Sequence, residues 1–407
     1  MLDGGDTLKP FPDLGRALPK GWRRARLDDV ADRASGHTPD QGRPEYWNGG
    51  VAWVSLADSA KLDQGYISET DKQISHLGIR HSSAVLLPPE TVILSRDAGV
   101  GKSAVLKSEM AVSQHFIAWS CSAKRVLDPW FLYAWMQTQK PFFERMAVGS
   151  TIKTIGLPIF KRLTIDFPPL PEQRRIAAIL RTWDEALEKV TALHAAKVRR
   201  LDGLAAWLIH DEQAERLHLR DFLSEVSTRN RGQQVERVLS VTNSAGFVLA
   251  EDQFAHRVAS ADLSNYKIVR RGQYAYNPSR INVGSIARLD AWEAGALSPM
   301  YVVFQVRDGL DSDFFQHWLR SAEARQRIAL AAQGSVRETV SFGDLGSILI
   351  PVPTIERQQS ISRALNAGRE EIALIEAEIE ALTRQKRGLM QKLLTGEWRV
   401  KLEAPVA

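Results

Sequence analysis

The stretch Ala98-Gly99-Val100-Gly101-Lys102-Ser103 carries the glycines, lysine and hydroxyl with which a backbone loop cradles nucleotide phosphates. That motif needs a glycine five residues before the second one. Arg96 stands there, and the matching stretch Ile281-Asn282-Val283-Gly284-Ser285 has no lysine, so nucleotide binding is not expected. Asn277-Pro278-Ser279-Arg280 opens like the catalytic Asn-Pro-Pro-aromatic motif of amino-methyltransferases. It lacks the second proline and the aromatic ring, and no glycine-rich cofactor fingerprint precedes it. The nine histidines are scattered, no Cys/His pair has zinc spacing, and no Gly-x-Ser-x-Gly elbow occurs. Polar and cationic loop residues are candidates of another kind. Reading DNA takes cationic groups for phosphates and a few bidentate side chains held on a rigid frame. Loops of the first half offer Arg96, Lys102, Lys107, Ser150, Thr151 and Lys153. Loops of the second offer Arg270, Arg271, Asn277, Arg280, Asn282, Ser335 and Arg337. Arginine suits guanine edges and asparagine suits adenine.

These residues sit on a chain that is written twice. Laying residues 149–209 over 334–394, a constant shift of 334 − 149 = 185, gives 15 identities in 61 ungapped pairs. Ordinary composition would give roughly one in fifteen. The identities include Gly149 with Gly334, Ser150 with Ser335, Thr154 with Thr339, Pro168 with Pro353 and Gln173 with Gln358. Upstream the likeness thins, and Val100-Gly101 meets Val283-Gly284 only at a shift of 183. A shared scaffold with diverged upstream regions presents two related but non-identical surfaces.

Two long helices should connect those surfaces. Each follows a proline-rich entry, Pro168-Pro169-Leu170-Pro171 and Pro351-Val352-Pro353, which ends a strand and admits a helix start. In the second, Ile361, Leu365, Ile372, Ile375, Ile379, Leu382, Leu389 and Leu393 recur in steps of three and four, interrupted at Gly368 and Lys386. In the first, Ile176, Leu180, Trp183, Leu187, Val190, Leu201, Leu204 and Leu208 keep the same phase, interrupted at His194 and Lys197. Such heptad seams call for a partner helix. No long crossover linker is evident, so antiparallel pairing is expected. A helix of about 40 residues is about 60 Å long and would span at most about 17 base pairs.

The remaining segments, residues 21–167 and 211–352, read as short strands and turns followed by a helix. Strands are expected at 51–56, 92–95 and 115–121 with a helix at 130–146, and at 238–242, 273–276 and 301–306 with a helix at 313–332. The fold class is therefore α+β: two α/β recognition domains joined by two long antiparallel coiled-coil helices, with a pseudo-twofold internal repeat. The full division is a tail at 1–20, a first domain at 21–167, a central helix at 168–210, a second domain at 211–352, a distal helix at 353–395 and a tail at 396–407. The 407 residues, 44% hydrophobic and 25% charged, suit a folded protein of two or three cores, and no apolar run could span a bilayer. The first 20 residues lack a secretory pattern and Cys121 is the single cysteine, so a cytoplasmic location and no disulfide are expected. The net charge of +5 is compatible with a polyanionic partner.

Taken in order, several segments resemble those of type I restriction-modification specificity subunits over nearly the whole chain. They are Tyr46-Trp47-Asn48-Gly49-Gly50 leading to Trp53-Val54-Ser55, Pro168 to Ile176 at the central helix, Tyr276 to Asn282, and the closing Leu393-Leu394-Thr395-Gly396-Glu397-Trp398-Arg399-Val400. The resemblance implies two target-recognition domains in inverted orientation on double-stranded DNA, each reading half of a bipartite site, with the helices as a ruler between them. It implies two methyltransferase subunits docked on those helices and restriction/translocase subunits beyond them. S-adenosylmethionine, ATP and Mg would belong to those partners, with no cofactor, catalysis or membrane association in this chain. The second helix entry departs from the pattern, reading Pro353-Thr354-Ile355-Glu356-Arg357-Gln358-Gln359, which points to slightly different docking there. A type II-like enzyme with a fused nuclease-methyltransferase partner, or a coiled-coil adaptor with protein-binding ends, would use the same architecture.

Overall fold

In the computed structural model, residues 17–210, 213–253, 262–333 and 339–401 are described. The chain divides into two units, residues 1–190 with 378–407, and residues 191–377. Each helix of the long pair contributes to both.

The first unit is built on a five-stranded sheet in the order Asp32–Ser35, Phe116–Ser120, Val92–Ser95, Ser103–Leu106 and Tyr66–Ile67. Its central strands are continuous apolar runs because both faces are covered. Val92, Leu94, Ile117 and Trp119 point to one side, into a cluster with Phe131, Leu132, Trp135 and Phe143 of the helix Pro129–Met146. Ile93, Ala104, Phe116 and Ala118 point to the other, onto Val54, Leu62 and Ile67. This is the period of two that strands impose. The helix starts at Pro129 because Pro fits the first helical position and the Asp128 carboxylate accepts the amides of Trp130 and Phe131. A smaller three-stranded sheet joins Lys72–Ile74, Trp47–Val54 and Ala111–Val112.

The second unit repeats the plan on a four-stranded sheet, ordered Leu223–Glu225, Val302–Val306, Tyr274–Tyr276 and Ile286–Arg288. Tyr274, Tyr276 and Phe304 pack against Phe314, Phe315 and Trp318, while Ala275 and Val303 face Leu239, Val241, Val269 and Leu297. The single helix expected at 313–332 is two helices, Ser312–Leu319 and Ala322–Gln333. The break comes at Arg320 and Ser321, where the Ser321 hydroxyl accepts the Ala324 amide and caps the second helix. Serine in a helical period is silent until its side chain turns back on the backbone.

The long helices are Leu170–Ile209 and Ile355–Leu394, each 40 residues, and both ends of one lie 185 positions from those of the other. In the second unit, His194 bonds Glu376 at 2.9 Å and Lys197 bonds Glu371 at 2.6 Å. Numbering rises on one helix as it falls on the other, so the pairing is antiparallel. The polar seam residues thus find cross-helix carboxylates, and in the first unit Lys386 likewise bonds Asp184. Gly368 is a seam position rather than a gap: a Cβ there would stand 2.6 Å from the Cδ1 of Leu201.

A strand pair closes each unit just ahead of a long helix. Arg23–Arg26 pairs with Thr164–Phe167 in the first, and Arg216–His218 with Leu349–Pro351 in the second. A buried glutamine then fastens helix to domain. Gln173 Nε2 donates to the carbonyls of Val126 and Pro168, at 3.0 and 2.8 Å, and its Oε1 accepts the Asp128 amide at 2.9 Å. Gln358 does the same with Gly309 and Pro353, at 3.1 and 2.8 Å, and with the Asp311 amide at 2.7 Å. Asp128 and Asp311 are themselves the caps of the domain helices. One side chain in each half therefore ties the first turn of a long helix to the start of the helix that backs the sheet.

Candidate nucleic-acid interface

In the first unit, the loop from Arg96 to Lys102 joins two central strands, and a second loop, Val148 to Thr154, lies beside it. Ser95 N–H donates to the Lys102 carbonyl at 2.8 Å, closing the first loop at its base. Gly99 and Gly101 take φ of +101° and +83°, conformations that favour glycine, which is the physical reason for the P-loop-like spelling. The second loop is a hairpin in which Val148 and Thr154 exchange backbone hydrogen bonds at 3.1 and 2.9 Å. Ile155 N–H then donates to the Arg96 carbonyl at 3.0 Å and joins the two loops. They frame a cavity of about 670 Å³ lined by Gly99, Lys102, Lys140, Ser150, Thr151 and Lys153, among others. The structure thus brings together Lys102, Ser150, Thr151 and Lys153, with Arg96 at the base.

Their states differ. The Lys102 ammonium donates to the Ser59 carbonyl at 3.0 Å, so it braces the loop. Arg96 is half-buried, 3.8 Å from Asp97, and that carboxylate also bonds His115 Nδ1 at 2.7 Å. Lys153 is exposed and makes no ion pair among the described residues. Lys107 lies at the far end of the strand Ser103–Leu106, with its ammonium 4.3 Å from the centre of the Tyr66 ring, apart from the loop cluster.

The second unit repeats the loop frame in its own residues. Asn277 N–H donates to the Ser285 carbonyl at 3.2 Å, and Val340 N–H donates to the Pro278 carbonyl at 3.1 Å, as Ile155 does to Arg96. Val340 is Ile155 shifted by 185. Asn277 is buried and its Oδ1 accepts the Ser279 amide at 3.1 Å, so the side chain shapes the turn. Arg271 is held by Glu293 at 2.8 Å and by the Asp290 carbonyl at 2.6 Å. Arg270, Arg280 and Asn282 are exposed, and neither arginine has an ion-pair partner among the described residues. Arg280 and Asn282 stand together on the turn that ends at Gly284, whose φ is +96°. Ser335 and Arg337 lie outside the described residues.

Three features escaped the sequence. Asp97 and His115 meet through strand pairing, although nothing in their spacing says so. Val148 and Ile152, both apolar, stand 74% and 58% exposed on the hairpin. Cys121 is buried, and burial pushes its thiol up to about 12, which leaves it unreactive at neutral pH. Among the described residues, no group of His, Cys, Asp and Glu could hold a metal ion, and no helix is long and apolar enough to cross a membrane.

Residues 19–196 match the family described as the type I restriction modification DNA specificity domain. The MjaIX specificity subunit of Methanocaldococcus jannaschii is 27% identical over 177 residues, covering 43% of this chain and 40% of that one. The MjaVIII specificity subunit of the same organism is 20% identical over 426 residues, covering 95% of each. Among solved structures, the type I restriction-modification S subunit from M. genitalium aligns over 96% of this chain and 98% of its own, with a TM-score of 0.57 and 16% identity. That likeness speaks for the fold: mixed α/β domains with two long helices. Residues 19–196 are thus similar to the type I restriction modification DNA specificity domain, and the chain over nearly its whole length is similar to type I restriction enzyme specificity subunits.

Proposed function

We propose that this chain reads a bipartite double-stranded DNA target, one half-site per unit, and directs adenine methylation and restriction by partner subunits. The observation that carries the reading is the duplicated frame. Ile155 N–H bonds the Arg96 carbonyl in the first unit as Val340 N–H bonds the Pro278 carbonyl in the second, and each unit ties its domain helix to a long helix with an equivalent buried glutamine. Divergent side chains on one frame are what two different half-sites require. Lys153, Arg270 and Arg280, which make no ion pair among the described residues, supply cations for phosphates or guanine edges, and Asn282 and the hydroxyls of Ser150 and Thr151 supply further groups for base edges. Arg96, Lys102, Arg271 and Asn277 hold the loops in shape, and Lys107 contacts the backbone beyond them. The chain contributes recognition and no catalytic group. S-adenosylmethionine belongs to two methyltransferase subunits, and ATP and Mg to restriction/translocase subunits.

The test is single-molecule sequencing of genomic adenine methylation in cells with and without this gene, the methyltransferase partner being present in both. A two-part motif with a fixed spacer that depends on the gene is expected. A gene-independent methylome with an active partner would overturn the reading.

A further inference from the structure

The hairpin from Val148 to Thr154 is too well fixed, and too apolar at its surface, to be a spacer. Its base is closed by the reciprocal Val148 and Thr154 backbone bonds and anchored through the buried Ile155 to Arg96. Its bend depends on Gly149, whose φ is +135° and where a Cβ would stand 2.2 Å from the Ile152 carbonyl oxygen. On this frame Val148 and Ile152 are largely exposed, interleaved with Ser150, Thr151 and the unpaired Lys153. An exposed isoleucine stiff at χ1, beside a hydroxyl and a cation, is an apolar probe with polar escorts. The only apolar group on the major-groove edge of DNA is the thymine 5-methyl. The slot itself varies in the way a reading position should: with the constant shift of 185, Ile152 falls on Arg337, between shared Gly-Ser and Thr positions. An arginine there matches guanine and an isoleucine matches a thymine methyl.

The geometry points to Ile152, supported by Val148, as a specificity-determining residue that reads a thymine 5-methyl group in the half-site of the first unit. The inference rests on the proposed DNA-reading function and adds the base class and the residue. It is tested with the full chain in complex with its methyltransferase partner, once the methylation motif is known. Each thymine of the motif is replaced in turn by deoxyuridine, which lacks only the methyl group, and binding is measured by competition. The native complex should lose about fourfold at one position of one half-site, the factor that one buried methyl group carries. Ile152→Ala should bind thymine and deoxyuridine duplexes equally at that position, and Ile152→Val should keep most of the difference. Lys153→Gln should weaken both duplexes alike. Any of three results would overturn the inference: a thymine preference unchanged in Ile152→Ala, half-sites without A·T pairs, or loss of the methyltransferase partner from the Ile152→Ala complex with the preference intact. A missing motif sinks the proposed function as well, whereas a motif indifferent to Ile152 sinks this inference alone.

Discussion

Replacing Gln358 by leucine should loosen the second unit at one identifiable place. The side chain is fully buried and makes three hydrogen bonds, to the Gly309 and Pro353 carbonyls and from the Asp311 amide. Leucine fills nearly the same space and satisfies none of them. Each backbone group left without a partner costs about 1 kcal/mol at the lower end of the usual range, which applies because the partners are only partly buried. The sum is about 3 kcal/mol, or about two decades in the local opening equilibrium. Hydrogen exchange read by mass spectrometry on fragments covering Asp311 and Phe315 should therefore accelerate about a hundredfold. The amide of Asp128, bonded to Gln173 in the first unit, serves as the internal control, and Gln173→Leu should give the reciprocal result. Two outcomes would refute the reasoning. Exchange at Asp311 unchanged within a factor of two would mean the glutamine is not what holds the cap. Equal acceleration at Asp128 would mean the effect is global and no latch exists.

Lys153→Gln and Arg280→Gln should each weaken DNA binding without altering the methylation motif if they meet phosphates, and should each lower the slope of log affinity against log salt by about 0.9. A changed base preference with an unchanged slope would instead place that side chain on a base edge. Stability of the second unit should fall in mild acid through His317. Burial holds this imidazole at about 4, with the Arg369 and Arg320 charges acting the same way and the Asn366 hydrogen bond opposing them. Because the folded value lies below the unfolded one of about 6.5, the unfolded chain takes up the proton first. The contribution, at most about 3 kcal/mol, is intact above the unfolded value and is lost as pH falls from there towards 4. Urea midpoints of native protein and His317→Gln should converge over that window; parallel pH profiles would exclude His317 as the cause.

What was legible in the sequence follows from how far each determinant reaches along the chain. The long helices were readable because their signals are local and repeated: proline entries, a three-four apolar period, and a second copy to check the phase. His194 and Lys197 interrupt that period, and the reason, a cross-helix carboxylate for each, lies on the other helix where no local signal reaches. The upstream strands at 92–95 and 273–276 were readable as short apolar runs, but their equivalence was not. The bond from Ile155 to Arg96 corresponds to that from Val340 to Pro278. Subtraction gives 185 for the donors and 182 for the acceptors, so no ungapped comparison can find both. The candidate interface was the least legible because one residue type serves two ends. Asn277 and Asn282 are five positions apart in one loop, yet one shapes the turn from within and the other stands in solvent. Likewise Arg271 is held by Glu293, 22 residues away, and by the Asp290 carbonyl, and neither reaches its neighbour Arg270. Residue type selects what a loop can contact, but the strand pairing beneath the loop decides which of its side chains are free to do so.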